Sequence, residues 1–168
     1  MVEFSKITIG NKLLRYAPIL LLFISVLNEF DFNYLELKYF SFNFPFILIF
    51  YFTLKENLHF DYFLVFIAGL INDVVIGLPL GLSSLSYVLI CSFSSYLRNI
   101  TIRPNIIKDW FYFLFVISLI NSINYSILFL VFSYELNLTY YLVNNFFTFL
   151  IYIFFTFIFD YYLKGINE

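Results

Sequence analysis

GLINDVVIGLPLGLSS, residues Gly69 to Ser84, interrupts a chain otherwise built from strings of Phe, Ile, Leu and Tyr. It sets an Asn-Asp pair between two glycines and follows them with a proline and a third glycine. On a helix, Gly69, Asp73 and Gly77 stand at i, i+4 and i+8, with Asn72 and Ile76 beside them. Gly77, Pro79 and Gly81 then punctuate a connection, and Pro79 sits just ahead of another apolar run. The stretch therefore reads as the end of one helix, a turn and the start of the next. The first N–H groups of a helix have no partner within it, so Asp73 can accept hydrogen bonds from them. A carboxylate placed there is favoured by about 0.3–1 kcal/mol. Glycine on either side of it lets a second backbone approach closely. The simplest role for Asp73 is thus a clamp between two helices, near a helix end and within reach of headgroups and water. A partner-binding surface is the sharper reading, and ligand binding or proton transfer a more distant one.

The rest of the chain says what solvent surrounds this corner. Hydrophobic residues make up 62% of the 168, aromatic residues 25% and charged residues only 12%. Soluble domains are nearer half apolar and a quarter charged. A chain this short leaves much of its surface in contact with solvent, so that many Phe and Tyr side chains cannot all be hidden from water. The solvent is lipid, and the chain reads as an all-α, multi-pass membrane protein. A net charge of −2 does not point to nucleic acid. A single cysteine, Cys91, and a single histidine, His59, exclude an internal disulfide framework and argue against clustered thiol or imidazole chemistry. The opening residues MVEFSKITIGNK lead into an apolar run with no small-residue cleavage site, which reads as a retained first helix.

A helix needs about 20 mostly apolar residues to cross a bilayer. That measure predicts one domain, residues 1–168, of six transmembrane helices: about 13–29, 39–54, 60–77, 80–97, 110–133 and 140–163. Pro45 falls in the second, which either starts near it or kinks there. With the N-terminus in the cytoplasm, alternation puts Lys6, Lys12, Arg15, Lys55, Arg98, Arg103, Lys108 and Lys164 on the inner side and only Lys38 outside. The positive-inside rule expects this asymmetry, so both termini read as cytoplasmic. The basic connection RNITIRPNIIKD, Arg98 to Asp109, reads as an anchor to anionic headgroups, with docking of a cytoplasmic partner as the alternative.

Small and polar residues recur along the later helices at three- and four-residue steps. They are Gly81, Ser84, Val88, Cys91, Ser92 and Ser95 in the fourth, Ser118, Asn121, Ser122 and Tyr125 in the fifth, and Asn145, Thr148, Tyr152 and Thr156 in the sixth. Such seams let helices pack closely and hydrogen-bond in lipid. Ser84, Ser92 and Ser95 are the expected packing seam of the fourth helix, and a ligand cavity lined by Ser, Asn and Tyr is the alternative. No paired acids in facing helices, His-Glu motif or Ser-Lys partner stands out, so the sequence offers no catalytic, cofactor or metal residues.

The block Gly69-Leu70-Ile71-Asn72-Asp73-Val74-Val75-Ile76-Gly77-Leu78-Pro79-Leu80-Gly81 resembles the Gly-Leu-x-x-Asp-x-x-x-Gly-x-x-Leu-Gly pattern of the MreD family, bacterial rod shape-determining membrane proteins. Pro45 and the run Phe46 to Tyr51 resemble that family's second-helix opening. Phe52 replaces the Trp often found there, and Asn121 and Asn124 stand where apolar or acidic residues are usual. The resemblance implies a non-enzymatic inner-membrane subunit of the cell-elongation complex, without cofactor. The partners it implies are MreC, a RodA-type glycosyltransferase and a class B penicillin-binding protein. It also implies a fold similar to the substrate-binding subunits of ECF vitamin transporters, so a small-molecule-binding transporter subunit is the alternative function. Gly69, Asn72, Asp73, Gly77, Pro79 and Gly81 would then shape a surface or pocket on the periplasmic side.

Overall fold

The computed structural model describes residues 16–27, 42–55, 61–100, 105–133 and 138–167. The expectations for Lys6, Lys12, Arg15, Lys38, His59 and Arg103 lie outside them. Among the described residues there are six helices and no strand: α1 (Tyr16–Leu27), α2 (Phe44–Lys55), α3 (Tyr62–Ile76), α4 (Leu82–Ile100), α5 (Ile106–Phe132) and α6 (Leu138–Asn167).

α2 is the centre of the bundle. Its sequence, FPFILIFYFTLK, has no polar face, and a helix that is apolar all round is one that is buried all round. Phe44 and every residue from Phe46 to Leu54 are buried. Its start is settled by Asn43, whose Oδ1 accepts the Phe46 N–H at 3.3 Å and whose carbonyl accepts that of Ile47. Pro45 thus falls in the first turn, where a missing N–H costs nothing, and the helix begins there without a kink. Rings from three neighbours close on α2. Tyr87 of α4 meets Phe46 edge-on, Phe113 of α5 meets Phe50, and Tyr152 and Phe159 of α6 meet Phe50 and Tyr51.

Two segments, Ile106–Phe132 and Tyr141–Lys164, are long and apolar enough to cross a membrane. This is narrower than six equivalent spans. At about 1.5 Å per residue, the 12 residues of α2 and the 15 of α3 reach only about 18 and 22 Å, against a hydrocarbon core of roughly 30 Å. α4 has the length but carries six serines, an asparagine and an arginine. The outward faces are apolar: Phe63, Leu80, Leu130 and Tyr161 are among the most exposed side chains. Soluble monomers rarely expose so many large apolar side chains.

Contacts give the helices alternating directions. The start of α2, the end of α3 and the start of α4 meet at one end of the bundle. The ends of α2 and α4 meet the start of α5 and the last turns of α6 at the other.

Candidate functional site

α3 packs against α4 more extensively than any other pair, and the reason begins at Gly69. A Cβ built there would fall 2.6 Å from the Ser84 nitrogen and 2.9 Å from the Ser83 carbonyl carbon, and nearer still to the Ser84 Cα. Only a residue without a side chain admits the α4 backbone at that distance. Gly77 serves differently. Its φ of 73° is left-handed, the usual residue and conformation for closing a helix, and no atom stands within 4 Å of where its Cβ would be. Close approach was expected on both sides of the carboxylate; it occurs at Gly69 alone. Gly81, at φ 101°, repeats the conformational role where the chain turns into α4.

Asp73 works in both directions from the last turn of α3. Its main-chain carbonyl accepts the N–H groups of Gly77 and Leu78, the latter at 3.0 Å, and this closes α3. Its carboxylate opens α4: Oδ2 accepts the Gly81 N–H at 2.7 Å and Oδ1 the Ser83 N–H at 2.8 Å. Beside it, Asn72 Nδ2 donates to Ser83 Oγ at 2.9 Å. The Pro79 carbonyl accepts the Leu82 N–H at 3.2 Å and shapes the turn between. Asp73 is 0% exposed. That corrects the expectation of a carboxylate in reach of headgroups and water, because α4 lies directly over it. Two main-chain donors stand in for the lost hydration, as a buried charge requires.

The other polar seams are redistributed. Ser84 is buried, and its hydroxyl has no partner among the described residues. Ser95 is half-buried and receives the Tyr62 hydroxyl at 3.4 Å. Ser92 does not belong with them. It is exposed and donates to the Val88 carbonyl of its own helix, since eight residues turn a helix about 80° away from Ser84. The serines that face inward, unanticipated, are Ser83, Ser86 and Ser94. The Ser86 hydroxyl lies 2.9 Å from Asn124 Oδ1 of α5. Asn121 Nδ2 donates to Asn145 Oδ1, joining α5 to α6. Thr148 Oγ1 accepts the Asn43 N–H at 3.0 Å, joining α6 to α2. Ser122 points outward, with its hydroxyl on the Ser118 carbonyl.

The far end holds what the sequence reading missed. Lys55 Nζ stands 3.3 Å from Asp109 Oδ2. Arg98 donates to the Thr53 carbonyl at 3.1 Å, and the Tyr51 hydroxyl donates to Asp160. Asp109 and Asp160, from facing ends of α5 and α6, are within electrostatic reach of each other. Paired acids in facing helices were not expected, and the partners lie tens of residues apart. Among the described residues no group of three or more His, Cys, Asp or Glu could hold a metal ion.

The sequence matches no protein-family model, and neither a characterised protein nor a solved structure proved similar to it.

Proposed function

We propose that this chain is a non-enzymatic, multi-pass scaffold of the bacterial cell-elongation complex, akin to the MreD family, with all six helices embedded in the inner membrane and both termini in the cytoplasm. The observation that carries this reading is the Gly69–Gly81 block. The residues that fit the family pattern are the ones with a physical task at the corner: Gly69 for close approach, Asp73 for closing one helix and opening the next, Gly77 and Gly81 for the turn. A corner so tightly specified gives a rigid, apolar-sided platform near one membrane surface, which suits a docking role. Lys55, Arg98, Lys108 and Lys164 fall at the other end of the bundle or beside it, which supports placing that end in the cytoplasm.

In this role the chain holds an MreC-like protein and, through it, a RodA-type glycosyltransferase and a class B penicillin-binding protein. Depletion in a rod-shaped host is expected to round the cells, and the tagged protein to co-purify with an MreC-like partner. Rods that persist after depletion would overturn the reading. Tags at either terminus reachable only from outside the cell would overturn the topology.

A further inference from the structure

We infer that a cavity beside the Gly69–Gly81 corner binds a small, uncharged, polyhydroxylated group about the size of one sugar ring. The cavity has a volume of about 180 Å³ and lies among α1, α2, α3, α4 and α6. Five polar side chains line it, each from a different helix or its cap: Ser25, Asn43, Asn72, Tyr87 and Asn144. Their convergence is independent of the scaffold reading.

The lining decides the chemistry of the ligand. Among the described residues it includes no Lys, Arg, His, Asp or Glu. An ion entering it would lose hydration without a charged side chain in the wall to pair with, since the nearby Asp73 carboxylate is already taken up by the Gly81 and Ser83 N–H groups, and the cost would be heavy. A purely apolar ligand would displace water and leave polar groups unpaired, which is also costly. A neutral group with both donors and acceptors avoids both penalties. The walls offer both kinds. Asn43 Oδ1 is taken by the Phe46 N–H, which leaves its Nδ2 to donate. Asn72 Nδ2 is committed to Ser83, which leaves its Oδ1 to accept. Ser25 gives its proton to the Leu22 carbonyl at 2.7 Å and keeps its lone pairs. The Tyr87 hydroxyl can act either way. Hydroxyls, which donate and accept at one atom, suit such a mixed wall better than any other neutral group. Phe42, Phe44 and Pro45 add an apolar side, against which the C–H face of a sugar ring can lie. At about 180 Å³ the space falls below the roughly 300–1,000 Å³ of pockets for drug-sized ligands, a size that suits a single ring.

The group can belong to a free sugar or to a lipid headgroup, and one experiment separates the two. The full chain, in phosphatidylcholine nanodiscs, is titrated with free methyl glucoside and, separately, with monoglucosyldiacylglycerol in the bilayer. Binding is read as a saturable rise in the unfolding midpoint and as bound mass in native mass spectrometry. Saturation is expected with one probe or both. Response to the glucolipid alone assigns the site to a headgroup, and response to the free glucoside assigns it to a soluble ligand. Tyr87→Phe keeps the edge-on contact with Phe46 and is expected to weaken binding about tenfold. Ile76→Trp, at the half-exposed mouth, is expected to abolish it. No saturable response to either probe overturns the proposal, as does binding that Ile76→Trp leaves intact. If Ile76→Trp does not fold, an affinity unchanged in Tyr87→Phe is the overturning result.

Discussion

The two ends of the bundle bury carboxylates by opposite means. At the corner, Asp73 is held by main-chain N–H groups of Gly81 and Ser83, eight and ten residues further along the chain. At the far end, the buried Asp109 is held by the side chain of Lys55, and the half-buried Asp160 beside it by that of Tyr51. Main-chain donors are lost only to proline and are not moved by rotamer changes, so the corner is rigid by construction. Side-chain donors can be exchanged as pairs, so the charged end is stabilised by contacts that other residues could replace. The first arrangement specifies a shape; the second specifies only that the helix ends stay together.

This contrast is broken most severely by Asp73→Ala. It strands the buried Ser83 N–H and the half-buried Gly81 N–H, a buried one costing about 1–3 kcal/mol, so a loss of about 3 kcal/mol is expected in unfolding measured in mixed micelles. Asp73→Asn keeps one acceptor oxygen and is expected to lose about half as much. If Asp73→Ala unfolds like the parent and still co-purifies with the MreC-like partner, neither the clamp nor the interface role stands.

Gly69→Ala comes next. The added Cβ would meet main-chain atoms of Ser83 and Ser84, which cannot swing aside as a side chain would. Overpacking of this kind costs typically 1–3 kcal/mol, and about 2 kcal/mol is expected here. The α3–α4 crossing must open, and disulfide trapping between cysteines placed across it would report the widening.

The charged end should respond differently. Lys55→Met leaves the buried Asp109 carboxylate without its partner, but the Lys55 side chain is 20% exposed, so water reaches the pair. A loss of about 1.5 kcal/mol is expected, below that of a fully buried pair. Adding Asp109→Leu should restore stability to within about 1 kcal/mol of the parent, because apolar residues of similar size often replace a buried ion pair without loss. A double variant as unstable as the single one would erase the distinction between the two ends.

The same contrast explains which parts of the fold were legible in the sequence. Gly69, Asn72, Asp73, Gly77 and Gly81 could be read because they lie within one helix end and one turn, where spacing alone predicts geometry. The start of α2 was half-legible. Pro45 marks a first turn or a kink, and only the bonds made by Asn43 decide between them. The Asp109–Lys55 and Tyr51–Asp160 pairs could not be read, since their partners are 54 and 109 residues apart and no local pattern records such a distance. Ser92 misled for a related reason. Three- and four-residue steps drift around a helix, and a seam read over three turns ends on a different face.

Ser84 and Ser92 give the finest test of that last point, and the smallest effect. Ser84 is fully buried at the Gly69 crossing, with a hydroxyl unpaired among the described residues. Removing an unpaired polar atom relieves a desolvation cost and opens only a small space, so Ser84→Ala is expected to be neutral or to stabilise by a few tenths of a kcal/mol. Ser92→Ala removes an exposed hydroxyl bonded within its own helix, and the change should fall within about 0.5 kcal/mol. The two differ in their response to size. Ser84→Val must push against α3 where Gly69 already allows no Cβ, and should lose as much as Gly69→Ala. Ser92→Val should be tolerated. Equal tolerance at both positions would mean that the close crossing of α3 and α4 is not what holds the corner in shape.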